Sequence, residues 1–286
     1  MSGLELRHPE TIDEVASLLA EHGGARCLSG GATLVAMMNA GLVHPSLLIS
    51  LNGIEALKGI HRAADGTVRI GAMTRHAETA ASTLFHEGQR IVPIAAGRIA
   101  NVPVRNMGTI GGSLSFADPA ADYLTALTAA AACVETASVR GRRTIPIGDF
   151  VSDWYTTVMA EDEIVTAVVV PPAAAGSVAH YEKLDRVSGD FAIVSIALVI
   201  AMDGDMCRAV RIAVGGCGPK PLHSRDADEV LEGAQLDPTR IVEAGARLVA
   251  ISDPVDDVRA SADYRRKVLP RLLAKSIAAV RDRRAA

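Results

Sequence analysis

The sequence predicts an α+β chain in two units, and three observations carry that expectation. Glycine pairs at Gly30-Gly31 and Gly111-Gly112 each interrupt short apolar segments of strand or helix length. The proline pair Pro171-Pro172, followed by small residues up to position 177, divides the chain. Beyond it three strand-like runs come first and three helix-like runs last, which is the order of an α+β unit and not of an alternating α/β one.

Taken in order, residues 11–22 read as a helix, with Thr11 as N-cap, Glu14 three residues on and Gly23-Gly24 as the stop. A strand at 26–28 runs into Ser29-Gly30-Gly31, a short helix follows at 33–40 and a strand at 47–51, giving a strand–turn–helix–strand unit. Residues 67–72 read as a strand, 75–82 as a helix, and 89–101 as a helix ending at the restrictive Val102-Pro103 pair. The stretch 106–113 reads as irregular, after which Asp118 and Pro119 are expected to launch an alanine-rich helix over 120–133. A hairpin is expected at 134–139 and 142–147, and a β-branched strand at 163–170. In the second unit strands are expected at 180–184, 191–202 and 206–215, the last two joined by Asp203-Gly204-Asp205. Helices are expected at 224–232, 238–250 and 262–280.

Composition narrows the function classes. The 286 residues carry 29 basic and 33 acidic side chains, a net charge of −4, which leaves no electrostatic footprint for nucleic acid or an anionic membrane. The basic cluster Arg281–Arg284 reads as a solvated helix end. Cysteines 27, 133, 207 and 217 are too far apart for a CxxC pair or an iron–sulfur cradle, and read as reduced thiols. The eight histidines never take metal-ligand spacing, so no metal ligand is expected. The start MSGLELRHPET lacks a charged, apolar leader and the longest apolar run, 191–202, is too short for a bilayer, so a cytoplasmic protein without a membrane span is expected.

Two motifs carry chemistry. In Ser29-Gly30-Gly31-Ala32-Thr33-Leu34 the glycines let the backbone bend and approach a ligand without Cβ interference, turning amide groups towards an anion. Gly108-Thr109-Ile110-Gly111-Gly112-Ser113 again sets paired glycines beside hydroxyls, and two such turns favour one ligand clamped from both sides. Spacing alone leaves that ligand open. No GxGxxG followed by an acidic ribose partner, no GxxxxGK[ST], no HExxH and no GxSxG is present. Gly215-Gly216-Cys217-Gly218, followed by prolines, reads as structural.

The residues SGGATLVAMMNAGLVHPSLLISLNGI (29–54) and VRNMGTIGGSLSFADPAADY (104–123) resemble the two flavin motifs of the FAD-binding medium subunits of molybdenum hydroxylases, the xanthine dehydrogenase and carbon monoxide dehydrogenase type. YEKLDRVSGDFAIVSIAL (181–198) and VRASADYRRKVL (258–269) resemble their C-terminal domain, so the resemblance covers nearly the whole chain. It implies a two-lobed FAD-binding domain of the PCMH type over 1–176, with subdomains at about 1–55 and 56–176. A C-terminal domain of a small antiparallel sheet plus helices would follow over 177–286. It further implies that Cys27, Leu28, Ser29, Gly30, Gly31, Ala32, Thr33 and Leu34, with Gly108, Thr109, Ile110, Gly111, Gly112 and Ser113, surround the pyrophosphate and ribitol of FAD. Asp122 would accept a flavin or ribose hydroxyl, Asn101 lies where a helix end approaches the cofactor, Ile164 would pack near the flavin or supply a backbone contact, and Lys183 would lie near the isoalloxazine edge. No catalytic acid–base residue is expected. Where the family has His or Gln and then Ser after the first glycine pair, this chain has Ala32 and Thr33, losing one side-chain donor and keeping a hydroxyl.

The implied function is an electron-exit flavoprotein. A large molybdenum-cofactor subunit and a small 2Fe-2S subunit are the implied partners, in a dimer of heterotrimers, with NAD, quinone or oxygen as external acceptor. Two other readings stay open: a stand-alone FAD oxidase, and a non-catalytic nucleotide-binding assembly module motivated by Ala32. On the first reading Gly111→Val is expected to block flavin approach while leaving the fold largely intact.

Overall fold

The computed structural model describes residues 4–285; the first three residues and the side chains of 283–286, part of the basic tail, lie outside the described residues. β1 (Glu5–Arg7) leads into α1 (Ile12–Glu21), started by a reciprocal cap. The Glu14 N–H donates to Thr11 Oγ1 at 3.2 Å and the Thr11 N–H to Glu14 Oε2 at 3.3 Å. Ile12, Val15, Ala16 and Leu19 recur at helical spacing and are buried. β2 (Arg26–Leu28), α2 (Leu34–Asn39) and β3 (Leu47–Ser50) complete the first lobe, with β3 central and parallel to β1 and β2.

The second lobe holds β4 (Ile60–Arg62), β5 (Val68–Gly71), α3 (His76–Ala81), α4 (Ile91–Arg98), α5 (Val102–Met107), α6 (Ile110–Phe116) and α7 (Asp122–Ala129). After these come β6 (Cys133–Ser138), β7 (Gly141–Pro146), α8 (Ile147–Phe150), the short pair β8 (Val151–Asp153) and β9 (Thr156–Thr157), and β10 (Ile164–Val170). Its sheet runs β4-β5-β10-β6-β7, antiparallel throughout.

The glycine-rich middle of the chain departs from the sequence expectation in three places. The Val-Pro pair starts a helix instead of ending one: Asn101 Oδ1 accepts the Val104 N–H at 3.0 Å, and Pro103 sits in the first turn, where a missing N–H costs nothing. The expected single helix over 89–101 is therefore a 3-10 turn at Glu87–Arg90 plus α4, broken at Ala100, whose φ is +41°. Of the stretch expected to be irregular, Asn106 and Met107 end α5 and residues 110–113 open α6, capped by Thr109, whose Oγ1 accepts the Gly112 N–H at 3.1 Å. Asp118 caps a turn, accepting the Ala120 N–H at 2.8 Å, and α7 starts four residues later. At its other end α7 stops early because Cys133–Ser138 pairs on both sides, with β7 and β10, and that sheet overrides the alanine-rich helix preference.

β11 (Ser177–Leu184), β12 (Val194–Asp203), β13 (Met206–Gly215), α9 (Arg225–Leu231), β14 (Ala234–Gln235), α10 (Pro238–Ala250) and α11 (Ala262–Ala285) follow, the sheet running β11-β12-β13-β14 antiparallel. Alternation along β12 and β13 explains their near-continuous apolar runs. Ile196, Leu198, Ile212 and Val214 face α9, α10 and α11 in one core, while Ala197 and Ala213 face α7 in the other. The alanines keep that second face shallow, so Tyr181 of β11 reaches into the N-terminal core. The extension predicted for residues 191–193 is a loop, its Ile193 carbonyl held at 2.5 Å by buried Arg265, which also reaches Gly216 O at 3.0 Å. Among the described residues no helix is long and apolar enough to cross a membrane.

Candidate cofactor site

The first glycine turn leaves β2 at Leu28 with Gly31 at φ +75° and enters α2. Among the described residues the N–H groups of Gly30, Gly31, Ala32, Thr33 and Leu34 donate to no acceptor; the next, from Val35, closes on Gly31 O at 3.1 Å. All five residues line one cavity of about 510 Å³.

The second turn meets the first. A Cβ on Gly30 would run into the Met107 carbonyl oxygen, so only glycine permits the approach. The Thr109 hydroxyl lies 3.3 Å from Ser29 Oγ. Most amides of this turn are already used: Ile110 donates to Thr74 O at 3.0 Å, Gly111 to Ala72 O at 2.9 Å and Gly112 to the Thr109 hydroxyl. What it gives the cavity is the Thr109 and Ser113 side chains and the backbone of Gly108 and Gly112; a Cβ on Gly108 would lie 2.4 Å from Nε2 of His76, itself on the cavity wall. Gly111 faces the opposite way, and a Cβ there would lie 2.6 Å from Ala72 Cβ and 2.8 Å from Ala72 O. The expectation for Gly111→Val is thereby corrected: the substitution strikes the β5 side of the fold before any ligand. A second cavity of about 770 Å³ adjoins across Ser29, Gly30 and Thr109, with Lys58, Arg75 and Asn106 on its wall.

Two buried carboxylates stand on the wall of the first cavity. Asp122, at the start of α7, accepts the Tyr181 hydroxyl at 2.7 Å and the Lys183 ammonium at 3.1 Å. Burial pushes its carboxyl above the ordinary range, opposed by Lys183 and Tyr181. Burial likewise raises Asp118, opposed by the Ala120 amide, Arg259 and Tyr155. His76, packed edge-on to Tyr123 at 5.3 Å, is pushed down to about 4 by burial and by Arg105, so it is neutral at pH 7. The C-terminal unit closes the cavity with the loop 185–193. Gly189, at φ +94°, comes so close to Ala100 that a Cβ would lie 2.7 Å from its carbonyl oxygen. Asp190 and Phe191 follow on the cavity wall, and the Arg259 guanidinium sits 5.2 Å over the Phe191 ring.

Of the sequence-predicted site residues, Cys27, Ser29, Gly30, Gly31, Ala32, Thr33, Leu34, Gly108, Thr109, Gly112, Ser113 and Asp122 line this cavity. Leu28, Asn101, Ile110, Gly111, Ile164 and Lys183 do not. Ile110 and Ile164 are core residues, Asn101 is spent capping α5, and Lys183 is buried between Asp122 and the Arg98 carbonyl, to which it donates at 2.8 Å. Sequence reasoning missed His76, and it read Asp118 only as a cap. Tyr181 was legible only as part of the YEKL block and carried no signal of its own.

This donor set suits a ligand with an anionic linker, hydroxyls and flat apolar rings: unclaimed amides for the anion, Asp122 for hydroxyls, and Ile99, Ala100, Val104, Phe116 and Phe191 for the rings. FAD has all three features, and the residues present fit it. The four cysteines are free and lie on β2, β6, β13 and the loop after β13, and among the described residues no group of three His, Cys, Asp or Glu could hold a metal ion.

Comparison with known proteins points the same way. Residues 2–173 match the FAD binding domain in molybdopterin dehydrogenase, and residues 179–280 the CO dehydrogenase flavoprotein C-terminal domain. The chain is 34% identical over 271 residues to the 6-hydroxypseudooxynicotine dehydrogenase complex subunit alpha of Paenarthrobacter nicotinovorans, covering 94% of this chain and 91% of that one. To the carbon monoxide dehydrogenase medium chain of Hydrogenophaga pseudoflava it is 32% identical over 274 residues, covering 96% and 95%. The solved carbon monoxide dehydrogenase of Hydrogenophaga pseudoflava superposes with a TM-score of 0.92 at 32% identity, over 96% of each chain. Quinoline 2-oxidoreductase from Pseudomonas putida 86 superposes at 0.88 and 28%, again over 96% of each. With both family domains present in order along one chain, this protein belongs to the FAD-binding medium subunits of the molybdenum hydroxylases.

Proposed function

We propose that this chain is the electron-exit subunit of its complex, taking electrons from 2Fe-2S clusters on a small subunit and passing them to an external acceptor. The observation that carries the reading is the row of five unclaimed amides from Gly30 to Leu34 on a cavity also walled by Asp122. These amides hold the diphosphate, with the Ser29, Thr109 and Ser113 hydroxyls beside it, while the missing side chain of Gly112 leaves the first two in place and that of Gly108 makes room for His76. Asp122 accepts a hydroxyl of the ribitol or ribose. Leu28, Asn101, Ile110, Gly111 and Ile164 act from behind the cavity wall, and Lys183 acts through Asp122. Bound FAD supplies one- and two-electron exchange at its isoalloxazine ring. The chain's own task is to bind it, orient it and keep its surroundings fixed.

The two apolar cores, and the boundary of the matched family domains between residues 173 and 179, support a division into a FAD-binding unit over 1–176 and a C-terminal unit over 177–286. Within the first unit, the separate sheets support subdomains at about 1–55 and 56–176. The relatives named as a medium chain and a complex subunit support membership of a multisubunit complex. The partners are proposed to bear the molybdenum cofactor and the 2Fe-2S clusters, and the assembly is proposed to be a dimer of heterotrimers in the cytoplasm. Purification from the native host tests this. Flavin, iron and molybdenum are expected to elute together, and reducing substrate is expected to bleach the flavin only while the iron–sulfur subunit is present. A chain that elutes alone and reduces its own flavin from substrate would overturn the reading in favour of a stand-alone oxidase.

A further inference from the structure

Asp122 owes its position to the other half of the molecule. Tyr181 and Lys183 are two residues apart on β11, so their side chains leave the same face of the C-terminal sheet. Both end on the Asp122 carboxylate, the hydroxyl at 2.7 Å and the ammonium at 3.1 Å. Tyr181 is fully enclosed, and Lys183 has a second anchor in the Arg98 carbonyl at 2.8 Å, so neither side chain is free to turn away. Behind Tyr181, Ser195 of β12 lies 3.4 Å from Thr125 of α7, one helical turn past Asp122.

We propose that Tyr181 is the positioning residue for Asp122: its phenol, delivered from the C-terminal sheet, holds the carboxylate turned into the cavity as an ionised acceptor for a cofactor hydroxyl. This rests on the FAD reading above. It makes the seam between the C-terminal sheet and α7 part of the cofactor site, because a donor on one side fixes the charge presented on the other. Lys183 divides its ammonium between the Arg98 carbonyl and both Asp122 oxygens, at 3.1 and 3.2 Å, and supplies charge; the Tyr181 hydroxyl makes the one shorter bond, to Oδ1 at 2.7 Å, and so sets which way the carboxylate faces. The phenol stays protonated throughout, because burial and then the neighbouring Asp122 charge raise its pKa far above neutrality.

The other titratable groups around Asp122 are His76 on α3, Arg98 on α4, Asp118 in the preceding turn, Asp190 in the 185–193 loop and Tyr123 on its own helix. His76 is neutral above about pH 4. Removing the phenol takes one donor from the ionised carboxylate only, so the Asp122 pKa rises further and the carboxylate is lost at a higher pH.

The test is the FAD dissociation constant of the full chain, read by flavin fluorescence between about pH 4.5 and 8. The wild type is expected to weaken as pH falls through the Asp122 transition. In Tyr181→Phe that transition moves up by about one pH unit, and in Asp122→Asn it disappears. 3-Fluorotyrosine at position 181, a stronger donor of nearly the same size, moves it down and serves if Tyr181→Phe does not fold. Wild-type binding with the same transition in Tyr181→Phe, or an unmoved transition with fluorotyrosine, overturns the proposal and leaves the FAD reading standing. A folded wild type that binds no FAD sinks both.

Discussion

Thr109 and Ser29, eighty residues apart, bring their hydroxyl oxygens to 3.3 Å, and that contact joins the two glycine turns into one cavity wall. Thr109 has a second duty, accepting the Gly112 N–H at the start of α6. Thr109→Ala removes both bonds and is expected to destabilise the protein by about 1 kcal/mol, the usual size of a lost helix cap. Thr109→Ser keeps the oxygen and recovers most of that loss. Denaturant midpoints of the two variants check this, and equal midpoints would contradict it.

Gly111 and Gly112 are expected to respond differently to the same substitution. A side chain at Gly111 strikes the Ala72 Cβ and carbonyl, so Gly111→Val costs about 1–3 kcal/mol of stability through overpacking. At Gly112 the added Cβ meets the Ser29 hydroxyl at 2.8 Å and the Thr109 hydroxyl at 3.1 Å, both side-chain ends on the cavity wall. Gly112→Val is therefore expected to fold and to lose FAD affinity tenfold or more, about 1.4 kcal/mol. Thermal melts and flavin titrations of the pair separate the two effects.

Acid sensitivity is expected to centre on Glu163. Burial pushes this carboxyl up, but bonds from Arg143 at 2.6 and 2.7 Å, the Thr136 hydroxyl and the Ala160 amide outweigh it and hold the pKa at about 2, against an ordinary 4.5. A depressed pKa gives stability that is fully present above about pH 4.5 and is lost as pH falls towards 2. Glu163→Gln is expected to be less stable than wild type at pH 7, with a shallower fall across that window. Unfolding midpoints measured from pH 5 to 2.5 would contradict this if the two slopes matched.

Cys27, Cys207 and Cys217 are expected to be inert. Burial pushes the Cys27, Cys207 and Cys217 thiols up to about 12, so almost no thiolate forms at pH 8. Iodoacetamide at pH 8 is expected to spare all three in the native protein and to label them once it is unfolded. Rapid native labelling of Cys27 would show that the cavity wall is more open than described.

The sequence was most legible where one local rule set the backbone. Thr11 and Glu14 announced α1, Asp203-Gly204-Asp205 announced the β12–β13 hairpin, and the first glycine pair was found as a turn, whereas the second lies in α6. It was least legible where tertiary contacts assign duties to residues that look alike. Gly111 and Gly112 are chemically identical, and only the proximity of Ala72 to one and of Ser29 to the other tells a core-packing glycine from one on the cavity wall. Pro103 was read as a stop because its first-turn position depends on Asn101 turning back to cap Val104. The resemblance implied Lys183 near the isoalloxazine edge, and its burial against Asp122, which spacing could not show, depends on how the C-terminal sheet docks on α7. Local pattern contains none of these relationships, since each joins residues through packing or a cap that spacing alone does not fix.

The central claim is that the backbone amides of Gly30–Leu34 hold the diphosphate of FAD. Fluorescence titration of the cofactor-free protein with FAD and with riboflavin, which shares the ring system and ribityl chain but has no phosphate, tests it most directly. FAD is expected to bind at least a hundredfold more tightly, about 2.7 kcal/mol. Equal affinity for the two would contradict the account.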